Sequence, residues 1–283
     1  DLWDLGLDDT DFHKLTLRFA ALLLNNQHFP AVKMPKYAVI IGVAEGDEMQ
    51  KLMKAGLHTL AVEPLDHYVQ LFEKTYPEIP VSTQLDTDDL FPSGVRGRLL
   101  KRAVSDVDDE KLNLSYALHG VGGLKRSYSL ATTISLGRLA DYQAPSLISL
   151  DCNGCEPGAW KGAKPLLRGP HRTPMIWMEV SGCHEHESEI AQWMAEEYDV
   201  FDFQWFGALL NGTREAVAKR DSLSVQRVGA NKESPYFEAM CSARKDQRFA
   251  WLQTDFIYVR NDLVTPELVR ALRDVATFPK HAL

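Results

Sequence analysis

Uninterrupted apolar stretches alternate with amphipathic segments in the first quarter of the chain. Residues 37–43 form an apolar run that ends at a glycine-containing turn, which is typical of a strand buried on both faces of a parallel sheet. Residues 46–55 have the apolar spacing of a helix, residues 57–62 form a second apolar run, and residues 66–76 are again helical in pattern. This order of strand, helix, strand and helix predicts the beginning of an open α/β sheet.

The alternation continues to the end of the chain, with one predicted hairpin and one long connection. Residues 112–118 and 124–130 flank turn-forming glycines and predict a hairpin. The other predicted strands are 98–104, 146–150, 175–180, 198–204 and 256–260, and the other predicted helices are 11–26, 158–167 and 187–197. We therefore predict a doubly wound, mostly parallel sheet in one domain, residues 37–283, with an insertion at about 205–254 and a helical segment at 1–36 before it.

Composition and charge narrow the function classes. The net charge is −8, from 31 basic and 39 acidic side chains, which disfavours a protein that coats nucleic acid. No apolar run approaches the roughly 18 residues of a membrane span. Four cysteines in 283 residues do not make a disulfide scaffold, and we expect a reducing, cytoplasmic environment. The start at Asp1 leaves open that the chain is a module of a longer protein.

A glycine turn follows the first predicted strand. Gly42 and Gly46 are spaced as G-x-x-x-G, and Glu63 ends the second predicted strand. In doubly wound sheets such a turn lets backbone N–H groups approach a ligand, and a carboxylate at the second strand accepts ribose hydroxyls. A nicotinamide dinucleotide prefers G-x-G-x-x-G, and the carboxylates of Glu45 and Asp47 would repel its pyrophosphate. The turn therefore favours S-adenosylmethionine over NAD; a tight turn without a ligand is the alternative.

A longer motif follows the fourth predicted strand. Residues 149–167 read S-L-D-C-N-G-C-E-P-G-A-W-K-G-A-K-P-L-L, which resembles the K-I-D-V-E-G-x-E…L-x-G-A signature of FkbM-type S-adenosylmethionine-dependent methyltransferases. Other blocks match in the family's order: residues 41–46 as the cofactor loop, 61–64 as F-E-P, 103–106 as A-x-S-D and 133–139 as T-L-D-D-L. Chance does not easily produce five ordered blocks.

The resemblance implies a class I, Rossmann-like methyltransferase fold of seven strands with an antiparallel last strand. It also implies methylation of a hydroxyl, frequently on a sugar or a polyketide-like molecule. The predicted cofactor-binding residues are Gly42, Ala44, Glu45, Gly46, Glu63, Pro64, Val104, Asp106 and Asp151. The chain departs from the family at four positions: Ile40 replaces an Asp, Ser149 a Lys and Asn153 a Glu, and Arg138 interrupts the T-L-D-D-L block. We expect Glu45 or a backbone carbonyl to compensate for Ile40.

Methyl transfer requires the protein to align the acceptor oxygen and take its proton. Asp151, at the end of the fourth predicted strand, is the first candidate base, with a helix cap as the alternative. Glu156 in the same loop and His184 after the fifth strand are further candidates; a solvated carboxylate and a plain loop histidine are the alternatives. Asp151, Asn153 and Glu179 would also suit Mg²⁺, but we assign no metal.

The predicted insertion is locally basic and rich in aromatic residues. Aromatic faces stack on sugar rings and cations bind anionic groups, so this segment is the predicted acceptor wall. The predicted acceptor contacts are Asn153, Glu179, Trp205 and Arg126. The alternative is a solvated segment whose aromatic residues attach it to the core.

The cysteines after the fourth predicted strand suggest zinc, because Cys152, Cys155, Cys183 and His184 supply four ligands. We reject this set, since the family has small apolar residues at the first two positions, and we predict that this pair packs at the strand end. A thioredoxin-like role lacks a helix N-terminus directly at the first cysteine.

The sequence thus predicts an S-adenosylmethionine-dependent O-methyltransferase that acts on a saccharide or glycan. A catalytically silent cofactor-binding module that recognises a glycan or a partner is one alternative. An NAD-dependent oxidoreductase is the other.

Overall fold

The structure is a computed structural model. It describes residues 20, 23–24, 36–43, 46–85, 90–120, 123–142, 144–152, 154–168, 172–180, 194, 196–202, 226–228 and 254–276. The fold is α/β with a mostly parallel central sheet, as predicted. The chain divides into two compact units: the first unit contains residues 37–144 and 152–172, and the second contains residues 1–36, 145–151 and 173–283. The single-domain assignment of residues 37–283 stays a prediction.

Four parallel strands form the central part of the first unit. They are β1 (Tyr37–Ile41), β2 (His58–Val62), β3 (Val81–Ser82) and β4 (Gly97–Leu100), and they pair in the order β1, β2, β4, β3. Helix α1 (Asp47–Lys54) joins β1 to β2, and α2 (Asp66–Thr75) follows β2. All residues of β1 are buried, as expected from its uninterrupted apolar run, and all residues of β4 are buried as well, including Arg98.

The predicted strand 98–104 is wrong as a single element. It is divided into β4 and β5 (Ala103–Ser105), and β5 belongs to a separate three-stranded sheet. Lys101 and Arg102 separate the two strands, and the Arg102 guanidinium donates to the backbone oxygens of Thr83 and Thr133 at 2.6 and 3.0 Å. The bend therefore gives this cation polar partners that a continuous buried strand would not supply.

The predicted hairpin is present and longer than expected. It consists of β6 (Lys111–Gly120) and β7 (Gly123–Ser135), which pair antiparallel, while β5 pairs with β7 in parallel. Ser135 accepts a hydrogen bond from the backbone N–H of Gly137 and begins a 3₁₀ turn, Leu136–Asp141. Helix α3 (Glu156–Leu167) completes the first unit.

The second unit contains the remaining strands, including the antiparallel one. β8 (Leu147–Leu150) and β9 (Met175–Val180) are parallel, and β12 (Thr254–Arg260) pairs antiparallel with β9 and with β10 (Tyr198–Asp202). The prediction of an antiparallel last strand is therefore confirmed. A short β11 (Gln226–Val228), inside the predicted insertion, pairs with β10. Helix α4 (Pro266–Ala276) ends the described chain.

Two predicted helices of the second unit lie mostly outside the described residues. Ala20, Leu23 and Leu24 of the predicted helix 11–26 are helical, and Ala20 and Leu23 are buried. Of the predicted helix 187–197, Met194 is helical and residues 196–197 form a turn. Within the described chain, no helix combines the length and the apolar character needed to cross a membrane.

Candidate cofactor site

The turn after β1 is tied back to the first unit by backbone hydrogen bonds. Gly42 and Gly46 have φ angles of 83° and 86°, in the left-handed region that glycine adopts readily. The N–H of Gly42 donates to the Val62 carbonyl at 3.1 Å, and the N–H of Gly46 donates to the Val43 carbonyl at 2.8 Å. Ala44 and Glu45 lie outside the described residues. The described part of the turn thus begins beside the end of β2 and enters α1 at Gly46.

Gly46 is required by packing as well as by its backbone angle. A Cβ at this position would lie 2.7 Å from a ring carbon of Tyr76 and 2.8 Å from one of Phe72. The hydroxyl of the same tyrosine donates to the Asp47 carboxylate at 3.2 Å. The sequence predicts a glycine here so that a ligand can approach the backbone. In the structure, two aromatic rings, those of Phe72 in α2 and of Tyr76 directly after it, fill the space that a side chain would occupy.

Glu63 connects the ends of β1 and β2. Its side chain is 4% exposed; one carboxylate oxygen accepts from the Val43 N–H at 3.1 Å and the other accepts from the Leu65 N–H at 2.9 Å. Pro64, which follows Glu63 in the chain, is half-buried. In doubly wound sheets, a carboxylate at the end of the second strand is the type of group that accepts the hydroxyls of a ribose. Sequence reasoning missed that Glu63 fastens the turn, because this contact joins residues twenty positions apart.

The first turns of α3 lie close to the end of β5. A Cβ at Gly158 would be 3.3 Å from Ser105 Cα, and a Cβ at Gly162 would be 2.5 Å from the Ser105 carbonyl oxygen. Val104 in β5 is buried, and Asp106, the first residue after this strand, is exposed. The first unit therefore brings the predicted residues Val104 and Asp106 beside α3, and the two glycines permit this approach.

Glu156 begins α3, two residues earlier than the predicted helix start. Its carboxylate accepts from the backbone N–H of Cys152 at 3.3 Å and from that of Gly154 at 2.7 Å. The side chain therefore shapes the loop before the helix, since both of its donors precede the first helical residue. Its predicted role as a base stays a prediction, and these contacts favour a structural role.

The other predicted site residues lie on other elements of the fold or outside the described residues. Asp151 follows β8 in the second unit and is exposed. Glu179 is in β9, opposite Asp255 of β12, and Arg126 is in β7, opposite Ala117 of β6. Like Ala44 and Glu45, the predicted residues Asn153, His184 and Trp205 lie outside the described part of the chain. Their roles, like those of Glu179 and Arg126, remain predictions.

The prediction for the two nearby cysteines is wrong. Cys152 and Cys155 are joined by a disulfide, so they do not act as separate small apolar side chains at the strand end. Within the described part of the chain, no group of three or more His, Cys, Asp or Glu side chains is arranged to hold a metal ion. The magnesium set considered above includes Asn153 and the Glu179 side chain, which are not described, so it remains untested.

A polar cavity of about 620 Å³ lies in the first unit between one face of α2 and the ends of β3 and β4. Lys101 forms an ion pair with Asp66 there, and Ser129 donates to the same carboxylate at 3.0 Å. These hydrogen bonds hold the pKa of Asp66 below its usual value, the lysine contributing most. The buried Arg98 donates to the Ser82 hydroxyl at 3.0 Å. Sequence reasoning missed this cavity, because its lining comes from three separate elements.

Comparison with known proteins gives structural similarity only. No family model matches the chain, and no curated protein matches it. Among solved structures, similarity is found to StiE O-MT (its residues 942–1257), with 13% identity, 91% of this chain and 81% of that chain covered, and a TM-score of 0.39.

Two further solved structures are similar at the same level. One is magnesium protoporphyrin IX methyltransferase from Synechocystis PCC 6803 with bound SAM, with 11% identity, 71% and 80% of the two chains covered, and a TM-score of 0.36. The other is an O-methyltransferase from Bacillus cereus in complex with SAH, with 11% identity, 92% and 86% covered, and a TM-score of 0.37. At this level of similarity, the activity must be argued from the residues of the chain itself.

Proposed function

We propose that the protein is an S-adenosylmethionine-dependent O-methyltransferase that acts on a hydroxyl of a saccharide or glycan. The observation that supports it best is Glu63, a buried carboxylate at the end of β2 whose oxygens hold the turn after β1. A buried carboxylate beside a glycine turn is a suitable acceptor for the ribose hydroxyls of an adenosine cofactor. The FkbM-like sequence blocks in the same order along the chain are the second support.

The proposed cofactor residues come from four places in the sequence. They are Gly42, Ala44, Glu45 and Gly46 of the turn, Glu63 and Pro64 after β2, Val104 and Asp106 at β5, and Asp151 after β8. In the first unit, the residue types present suit such a group, since Glu63 is a carboxylate beside the turn and Asp106 is exposed beside α3. When bound, S-adenosylmethionine supplies a methyl group on a sulfonium, whose leaving group is already activated.

Removal of the acceptor proton is assigned first to Asp151. Its carboxylate is exposed directly after β8, where open α/β sheets present ligand-binding groups. His184 is the second candidate, because an imidazole takes a proton near neutral pH. Glu156 is placed third, since both of its oxygens already accept backbone N–H groups.

The proposed acceptor is a saccharide or glycan, with Asn153, Glu179, Trp205 and Arg126 as its contacts. The hairpin of β6 and β7 adds support, because Tyr128 is 71% exposed and lies opposite Ser115 in the strand register. An exposed aromatic ring with small polar neighbours suits the apolar face of a sugar, whose hydroxyls then find hydrogen-bond partners at the edges.

A transfer assay with labelled S-adenosylmethionine and a panel of glycans, with and without a chelator, tests this function. We expect label in a hydroxylated acceptor. Asp151→Asn should abolish turnover and largely retain cofactor binding, while the exposed control Asp141→Asn should stay active. Cofactor binding without turnover on any acceptor would favour the silent module. Stabilisation by NAD but not by S-adenosylmethionine would favour the oxidoreductase.

A further inference from the structure

We propose that Cys152 and Cys155 are a redox-active pair, which a dithiol reductant opens and a disulfide oxidant closes. This chemistry is independent of methyl transfer. The structure joins the two residues by a disulfide, with their Cα atoms 5.5 Å apart, a usual separation for such a bond. The pair lies between Asp151 and the start of α3.

The bond lies in a surface loop, and its contribution to the stability of the fold is small. Both cysteines are half-buried, and Gly154 between them is exposed, so the disulfide lies in a surface loop. The stabilisation that a disulfide provides by restricting the unfolded chain grows with the length of the closed loop, and a separation of three residues is near the minimum. A bond with these two properties suits reversible chemistry better than structural support.

Cys155 is the sulfur that leaves more easily as a thiolate. It is the N-cap residue of α3, a helix of twelve residues. The free N–H groups and the dipole at a helix N-terminus stabilise a nearby negative charge. Glu156 adds an opposing charge at the same place, but its two oxygens are turned to the N–H groups of Cys152 and Gly154.

The proposed step follows from this difference between the two sulfurs. A thiolate of the reductant attacks Sγ of Cys152, the bond between the two protein sulfurs breaks, and Cys155 leaves as a thiolate. The second thiol of the reductant then attacks its own sulfur in the mixed disulfide and releases Cys152. Two electrons and two protons pass to the protein, and the reductant becomes a disulfide.

Opening the bond leaves α3 in place. The helix is held against Ser105 through Gly158 and Gly162, where a Cβ would be 3.3 Å or less from atoms of that residue, and Ser135 donates to the Gly162 carbonyl at 3.1 Å. The change is therefore confined to the loop that carries the two cysteines, where the backbone N–H groups of Cys152 and Gly154 lose the restraint that keeps them on Glu156.

Differential alkylation tests the redox activity directly. The folded chain of 283 residues is equilibrated in mixtures of reduced and oxidised dithiothreitol, alkylated and digested with trypsin. Residues 139–161 form one tryptic peptide, which contains Cys152 and Cys155 and excludes Cys183 and Cys241. We expect both cysteines to become labelled together as the fraction of reduced dithiothreitol rises, and to become protected again on reoxidation. Labelling without reductant, or no labelling in excess reductant, would overturn the proposal.

Hydrogen exchange measures the local effect. Reduction should speed amide exchange in residues 152–155 by tenfold or more and leave the interior of α3 unchanged. Cys155→Ser should exchange fast in both buffers, and the control Cys183→Ser should keep the wild-type response. Equal exchange in the oxidised and reduced wild-type protein would overturn the coupling between the bond and the loop.

Discussion

Substitution of Gly46 by alanine separates the two reasons for a glycine in the turn after β1. Gly46 has a φ of 86°, and Gly56, at the other end of α1, has a φ of 93°. Alanine pays a similar backbone cost at both positions, about 1–2 kcal/mol for a left-handed conformation. The reduced freedom of the unfolded chain offsets roughly 0.4–1 kcal/mol of this cost in each variant.

The surroundings of the added methyl group differ between the two sites. At Gly56 no atom lies within 4 Å of the new Cβ, whereas at Gly46 the rings of Tyr76 and Phe72 lie at 2.7 and 2.8 Å. Overpacking of this kind costs about 1–3 kcal/mol. We therefore expect Gly56→Ala to lower the free energy of unfolding by about 1 kcal/mol and Gly46→Ala by about 2–4 kcal/mol.

Urea denaturation with linear extrapolation measures both losses, and calorimetric titration with S-adenosylhomocysteine measures binding by the folded variants. Gly46→Ala should also weaken binding, since α2 and the turn must shift to admit the methyl group, and Gly56→Ala should bind as the wild type does. Equal losses of stability at the two sites would refute the packing argument. Unchanged binding by Gly46→Ala would show that the turn does not contribute to cofactor binding.

Two further predictions concern buried and charged groups of the first unit. Thr59 and Thr133 are both 0% exposed, but the Thr133 hydroxyl accepts from the Glu110 N–H at 2.9 Å, whereas the Thr59 hydroxyl has no partner among the described residues. In urea titrations we expect Thr59→Val to raise the free energy of unfolding by about 1 kcal/mol and Thr133→Val to lower it by about as much. Changes of the opposite sign would contradict this prediction. The pKa of Asp66 is lowered in the folded protein, mainly by its hydrogen bond with Lys101. The ionised carboxylate therefore stabilises the fold at pH values above its unfolded pKa of about 3.9. This contribution is lost as the pH falls through the lower pKa of the folded protein. Asp66→Asn should therefore flatten the stability profile below about pH 4, and an unaltered profile would exclude this contribution.

The elements that sequence reasoning predicts well are those with local signals. Six of the seven predicted strands of the central sheet are present, and the seventh, 98–104, belongs to this sheet only in its first part, β4. The periodicity that predicts such strands is a local signal, which depends little on distant residues. The division at Lys101 and Arg102 was missed, since the carbonyls that receive the Arg102 guanidinium come from residues 83 and 133. Charged residues in the middle of a predicted strand were the available signal.

The candidate site shows the same limit. The positions of Glu63 and of the glycine turn follow from strand order, but the hydrogen bond between Glu63 and Val43 and the rings beside Gly46 depend on tertiary packing. The disulfide was also missed, because spacing alone does not distinguish packed, metal-binding and bonded cysteine pairs.

A crystal structure of the protein soaked with S-adenosylhomocysteine tests the central claim most directly. The account predicts ribose hydroxyls within hydrogen-bond distance of the Glu63 carboxylate, beside the turn formed by residues 42–46. The same experiment with Glu63→Ala, in which this acceptor is removed, should show weak or absent density. A ligand bound elsewhere, or a wild-type turn whose approach is closed by the protein's own side chains, would contradict the account.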